Sequence, residues 1–198
     1  MKLSCAIPIH NMKNADFFLV RLIKSLQKQT FRDFEIVITK EGRMAENTNA
    51  AIKKCKGEII KILYMDDYLA HHDSLKMIVD NFQGGWLATG CMHDNGDGNL
   101  FNPHLPNYNG ISDNANTIGS PSVVAIENTN PLLFDENMSW LLDIEYYKRL
   151  HEKYGEPTLL KDLNVIIGTG SHQMTNILTN EEKMSEHNYL NYKHANRT

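Results

Sequence analysis

The chain has 198 residues and a formal net charge of −4, with 20 basic side chains against 24 acidic ones. That length suits one domain, able to bury roughly 70% of its unfolded surface without disulfides or a structural metal. Hydrophobic residues at 41% and charged residues at 22% exclude a disordered chain. The mild acidity argues against nucleic acid as a partner, since nucleic-acid-binding domains carry a basic excess. It does not exclude a phosphate-bearing ligand, because backbone donors and a metal hold phosphates without Lys or Arg. Cys5, Cys55 and Cys91 are widely spaced and odd in number, which argues against a disulfide framework and for a reducing compartment. Pro8 and His10 interrupt the amino-terminal apolar run too early for a signal peptide. No window approaches the roughly 18 apolar residues of a membrane span. A cytoplasmic protein without an integral membrane segment is expected.

In chain order, residues 3–9 are a short apolar run ending in a polar cluster, which reads as a buried strand. Phe18, Leu22, Ile23 and Leu26 then recur at helical spacing behind Asp16, a candidate N-cap. Residues 34–38 read as a second strand, 44–54 as a helix stopped by Gly57, and 58–63 as a third strand. Leu75, Ile78, Val79 and Phe82 mark a helix over 72–82, and residues 86–91 a fourth short strand. Residues 93–117 are rich in Asn, Gly, Asp and Pro, the composition of a functional loop or lid. A strand is expected at 122–126 and a helix at 139–154, with Ser139 as its cap and Leu142, Ile144, Tyr147 and Leu150 on its apolar face. Residues 164–168 form another apolar run, and a charged helical tail begins at Asn180.

Strands alternating with helices over short connections predict an α/β fold with a mostly parallel, doubly wound sheet. Ligands of such sheets bind beyond the carboxyl ends of the strands. This nominates residues 8–10, 39–42 and 64–68. The last of these holds Asp66–Asp67 at the end of "IIKILYMDD". Paired carboxylates there are costly unless their charge is offset, and a divalent cation bridging to a diphosphate would offset it. A strand-ending turn with solvated carboxylates is the plainer alternative. The string YMDD also occurs in reverse transcriptases, which need a further aspartate and a basic template cleft that this short, acidic chain does not suggest.

The succession "LSCAIPIHN", "LIKSLQKQTFRDFEIVIT" and "NTNAAIKKCKGEIIKILYMDD" resembles the amino-terminal half of family 2 glycosyltransferases of the GT-A fold. The segment "GSPSVVAI....LLFDENMSWLLDIEYYKRLHEKYG" resembles their second half. The resemblance covers roughly residues 3–176 and implies one GT-A domain over 1–198. Its nucleotide-binding half is 1–92, its loop 93–117 and its acceptor-side half 118–198. It further implies transfer of a sugar, with inversion, from a nucleotide-diphospho-sugar donor to a glycan or other hydroxyl acceptor. Pro8, Ile9 and His10 match the loop bordering the nucleotide base. Glu41, in "ITKEG", stands near the position that reads the base edge, and Asn49 matches the helix facing the nucleotide. Asp66 matches the ligand of Mn2+ or Mg2+, and Asp67 its neighbour; Tyr64 replaces the first acid of that motif. Asp143 matches the catalytic base, with Glu145 as its rival. His172 matches a residue touching the diphosphate or the metal, and Thr175 lies beside it.

Residues 119–122 would line the acceptor side, while Trp86 and Trp140 are candidates for stacking on a sugar or for the core. His71 and His72 are read as the start of a helix. The shortness of the chain points to acceptor recognition by the 93–117 loop, the second half, or a partner protein or oligomer. Two other readings stay open: a nucleotidyltransferase, for which "IPIHNMKNAD" lacks a Gly-rich phosphate loop, and a non-catalytic sugar-nucleotide or glycan-binding module, which Tyr64 and "ITKEG" allow.

Overall fold

The computed structural model describes residues 1–109, 111 and 114–195. Its order is β1 (Leu3–Pro8), α1 (Ala15–Gln27), β2 (Phe34–Thr39), α2 (Met44–Lys54), β3 (Ile59–Ile62), β4 (Tyr68–Leu69), α3 (Ser74–Asn81) and β5 (Trp86–Asp94). There follow β6 (Leu100–His104), a 3-10 turn at Pro121–Val123, β7 (Val124–Glu127), α4 (Leu142–Tyr154), β8 (Thr158–Gly168), α5 (Met174–Ile177) and α6 (Asn180–Ala195). One eight-stranded sheet runs β2-β1-β3-β7-β5-β8-β4, and β6 pairs with β5 off this path.

β1 and β3 are buried along their whole length, as apolar runs covered on both faces should be. β1 lies parallel to both β2 and β3, so the amino-terminal part has the expected doubly wound arrangement. The expectation of a mostly parallel sheet needs correction. β7 is antiparallel to β3 and β5, β4 is antiparallel to β8, and β6 is antiparallel to β5; β5 and β8 are parallel. The sheet is mixed. The physical reason is that β7 follows a short turn rather than a crossover helix, so the chain enters the sheet in the opposite direction.

The 93–117 segment is also more ordered than its composition suggests. β5 continues to Asp94 and turns back into β6. Ile111 is fully buried, and Tyr108 stacks on His151 with ring centroids 4.3 Å apart. The backbone at Asn107 and the ring of His104 both bond Thr117. Among its described residues this segment is fastened to the core, which argues against the free lid expected from its polarity; positions 110, 112 and 113 lie outside the described residues. Trp86 is core as well, stacked on Tyr147 and donating from Nε1 to the Gly155 carbonyl at 2.9 Å. α3 begins at Ser74, two residues later than predicted, because the His71 and His72 carbonyls accept bonds from Gln29 and Thr30 on the neighbouring connection.

Lys61, inside β3, has no solvent exposure. Its Nζ donates to the Ser122 carbonyl and, at 3.5 Å, to that of Val124. Burial drives its pKa down to about 7, against the opposing pull of Cys5, Asp67 and Cys91. The folded protein therefore binds this proton less tightly than the unfolded chain, and the residue's contribution to stability rises with pH between about 7 and the ordinary lysine value of 10.5. Denaturant unfolding of the wild type and Lys61→Met, at about pH 7 and about pH 10, measures this. The difference should shift toward the wild type at the higher pH by a few kcal/mol, and a pH-independent difference would contradict a low-titrating lysine.

Candidate active site

The carboxyl ends of β1 and β3, the 3-10 turn, the start of α4 and the segment after β8 enclose a cleft of about 420 Å³. Asp66, Asp67, Asp143 and His172 all line it, together with Pro8, His10, Ser120 and Trp140. These residues lie up to 164 positions apart in sequence (8 to 172), and the sheet topology brings them together.

The turn after β3 separates its two carboxylates. Asp67 points inward, 2% exposed, where Oδ1 accepts the Gly168 N–H at 2.8 Å and Oδ2 lies 3.5 Å from the Ser120 hydroxyl. Burial, reinforced by the neighbouring Asp66 charge, pushes its pKa well above the usual carboxylate range. Asp66 turns the other way. Its Oδ2 lies 2.9 Å from His172 Nε2, and both side chains face the cleft.

Asp66 and His172 offer one oxygen and one nitrogen donor at the same point, a set that suits Mn2+ or Mg2+ when phosphate oxygens complete the coordination. Among the described residues no group of three or more His, Cys, Asp or Glu could hold a metal by itself. Among the described residues no lysine or arginine lines the cleft, so these residues offer little fixed positive charge there with which to meet a diphosphate. The residues present fit a cation shared with a phosphorylated ligand rather than an all-protein cage. Asp67, spent on Gly168, supports the turn.

Asp143 sits in the first turn of α4 and lines the same cleft. Oδ1 accepts the Ile144 N–H at 2.7 Å and Oδ2 accepts the Asn116 side-chain amide at 2.6 Å. Desolvation lifts the pKa of this carboxyl to about 7 despite those hydrogen bonds. Glu145 lies elsewhere. It is fully buried, bonded twice by Arg149 at 2.6 and 2.7 Å and paired with Lys193 at 2.7 Å, so it is a structural anion with no access to the cleft.

Three expected nucleotide contacts are absent from the cleft. Asn49 uses its amide on the segment leading into α4, bonding the Phe134 backbone in both directions and Glu136 at 3.0 Å. Glu41 is on the surface, paired with Lys54 at 2.5 Å. Ile9 packs against the core, with its carbonyl taken by the Asn47 amide at 2.9 Å. His10 does line the cleft, and its buried Nε2 has no hydrogen-bond partner among the described residues. Burial lowers its pKa, with Asp66 opposing. The Tyr64 phenol also reaches the cleft, where burial raises its pKa. Among the described residues no properly aligned partner meets that phenol, the nearby Thr48 hydroxyl being given to the Met44 carbonyl. Trp140 and Thr175 both line the cleft, and Trp140 donates from Nε1 to the Thr175 hydroxyl at 3.0 Å. His71 is remote, 2.8 Å from Asp162.

Sequence reading misses two supports of this site. Asn116 lies in an Asn-rich loop with no motif around it. Glu186, on α6, accepts the backbone N–H groups of Ser139, Trp140 and Leu141 at 2.8–2.9 Å. It holds the turn that leads into α4, which starts at Leu142 with Leu141 rather than the expected Ser139 as its N-cap.

No family model and no curated protein matches this sequence. Solved structures do. The crystal structure of S. aureus TarS 1-349 in complex with UDP-GlcNAc superposes with a TM-score of 0.64 at 17% identity, over 94% of this chain and 64% of that one. S. aureus TarS 1-349 alone gives 0.63 at 18% identity, over 85% of this chain and 60% of that one. Mannosyltransferase PcManGT from Pyrobaculum calidifontis, in complex with GDP-Man and Mn2+, gives 0.59 at 14% identity, over 86% of this chain and 58% of that one. The chain has the fold of known glycosyltransferases. It spans about three fifths of the length of those neighbours.

Because Glu186 holds three backbone N–H groups of the turn that leads into α4, Glu186→Ala should cost about 2 kcal/mol of unfolding free energy. Urea denaturation checks this; a loss below a few tenths would mean that water replaces the carboxylate without cost.

Proposed function

We propose that this chain is a glycosyltransferase that moves a sugar from a nucleotide-diphosphate donor to a glycan or other hydroxyl acceptor with inversion, in the manner of family 2 enzymes. The observation that carries this reading is that Asp143 lines the same cleft as the Asp66–His172 pair. The likeness of fold to structures holding UDP-GlcNAc and GDP-Man supports it.

Displacement at the anomeric carbon forms a bond to the acceptor oxygen and breaks the bond to the diphosphate oxygen on the opposite face. The acceptor hydroxyl must lose its proton as it attacks, and in this reading Asp143 takes it. A base with a pKa near 7 is well matched to that task, since it is half-ionised near neutrality yet basic enough to share the proton in the transition state. Asn116 and the Ile144 N–H aim the carboxylate. Mn2+ or Mg2+ bound by Asp66 and His172 would stabilise the charge growing on the departing diphosphate. The leaving group then needs no proton, so one base suffices.

Asp143→Asn should reduce transfer by roughly 10²–10⁴-fold while leaving donor binding intact. A panel of nucleotide sugars assayed with Mn2+ and Mg2+ tests this, and undiminished turnover in the variant would remove Asp143 from the mechanism. In the wild type, activity should climb with pH through about 7 and level off above it, as the carboxyl ionises. Asn116→Ala removes a bond that favours the ionised form, so the same rise should move to higher pH.

A further inference from the structure

α1 presents Phe18 and Arg21, three residues apart and hence on one face, to the back of the Asp66–His172 pair. The Phe18 ring packs against the His172 ring with centroids 5.5 Å apart. Arg21 bridges two elements: Nη2 donates to the Asp66 carbonyl at 2.6 Å and Nη1 to the Asp94 carboxylate at 2.7 Å. Its guanidinium lies over the Tyr68 ring at 4.3 Å. Asp94, at the end of β5 and 4% exposed, is itself held by the Tyr68 hydroxyl at 3.1 Å and the Gly96 N–H at 2.7 Å. Its carbonyl accepts the Thr169 N–H at 2.9 Å, which ties the same point to the strand end that leads to His172.

The Asp66 carbonyl is gripped from its other side too. A Cβ added at Gly168 would collide with that oxygen, so the turn seats directly on a residue without a side chain. This is an expensive arrangement for stability alone. A largely buried ion pair recovers little of its desolvation cost, and Arg21 Nε is buried with no hydrogen-bond partner among the described residues. An apolar pair would pack the same space at lower cost. What the guanidinium supplies that an apolar group cannot is a rigid fork between a backbone carbonyl and a carboxylate.

We propose that Arg21, anchored by Asp94, is a positioning residue that presets the Asp66–His172 pair for a cation-bound diphosphate. The inference rests on the glycosyltransferase reading above for the identity of that ligand, and on the contacts of Arg21 for the rest. Lysine at position 21 keeps the charge but offers a single point donor, so it cannot span both partners with the fork's geometry.

Two measurements on Arg21→Lys and Asp94→Asn test the proposal. The first needs no ligand. The His172 ring resonances, in metal-free protein, carry the ring current of Phe18 and the contact with Asp66. In both variants they should move toward the values of a solvent-exposed histidine, while circular dichroism and the remaining methyl resonances stay native. The second is calorimetric titration of Mn2+ in the presence of UDP or GDP, where affinity should fall about tenfold or more. In turnover the donor KM should rise more than kcat falls. Unmoved His172 resonances together with wild-type Mn2+–nucleotide affinity, in folded variants, would overturn the proposal. If the wild-type protein bound no Mn2+–nucleotide at all, the glycosyltransferase reading would fail, and the His172 resonances would still decide whether Arg21 positions the pair. Should Arg21→Lys not fold, Asp94→Asn probes the same bridge from its opposite end, with the same two outcomes.

Discussion

Two adjacent carboxylates leave the end of a buried strand at Asp66 and Asp67, and like charges in that position are tolerable only if the turn sends them to different surroundings. The backbone does so. Asp67 goes inward, to the Gly168 N–H and the 3-10 turn that follows the 93–117 segment, and Asp66 goes outward, to His172. Much of the architecture serves that division. β8 must end at Gly168 to supply both the N–H and the bare Cα on which the turn rests. β5 must extend to Asp94 to anchor Arg21, and β4 pairs antiparallel with β8 immediately after the turn, locking its exit.

The second wall of the cleft is organised by α6. Glu186 bonds the backbone of the turn before α4, while Lys193 reaches Asp135 and Glu145, and Tyr189 bonds Asp135 at 2.9 Å. These contacts hold the stretch from Asp135 to Asp143 against the body of the protein. The Asn49 amide clasps the same stretch from beneath, through Phe134 and Glu136. Asp143 therefore emerges from a frame secured on two sides, which suits the role of base proposed for it. The elevated pKa is a consequence of the same enclosure.

Likeness of fold at 14–18% identity tells little about which side chains do what. Local geometry carries that part. Asp66, His172 and Asp143 meet in the cleft, whereas Glu41 and Asn49 are engaged away from it. A donor base bound at this cleft would thus meet Pro8, His10 and Tyr64 rather than the polar pair expected from the motif.

The succession of elements was legible in the sequence, because apolar runs of four to six residues and helical spacing report local burial directly. So was the strand-ending Asp66–Asp67 pair, whose charge has to be offset by a partner or by solvent. The direction of β7, β6 inside the Asn-rich segment, and the burial of Lys61 were not, since each depends on which strand lies alongside and composition does not encode a neighbour. Asp143 and Glu145 look equivalent as text. Two positions along one helix turn one toward the cleft and the other into Arg149 and Lys193, and only packing tells them apart. Arg21, Asp94, Asn116 and Glu186 lay in no motif because their partners are 27 to 73 residues away. The sequence by itself determined the kinds of element and the charges available; tertiary structure decided which charges face each other, because only through-space proximity sets desolvation and hydrogen bonding.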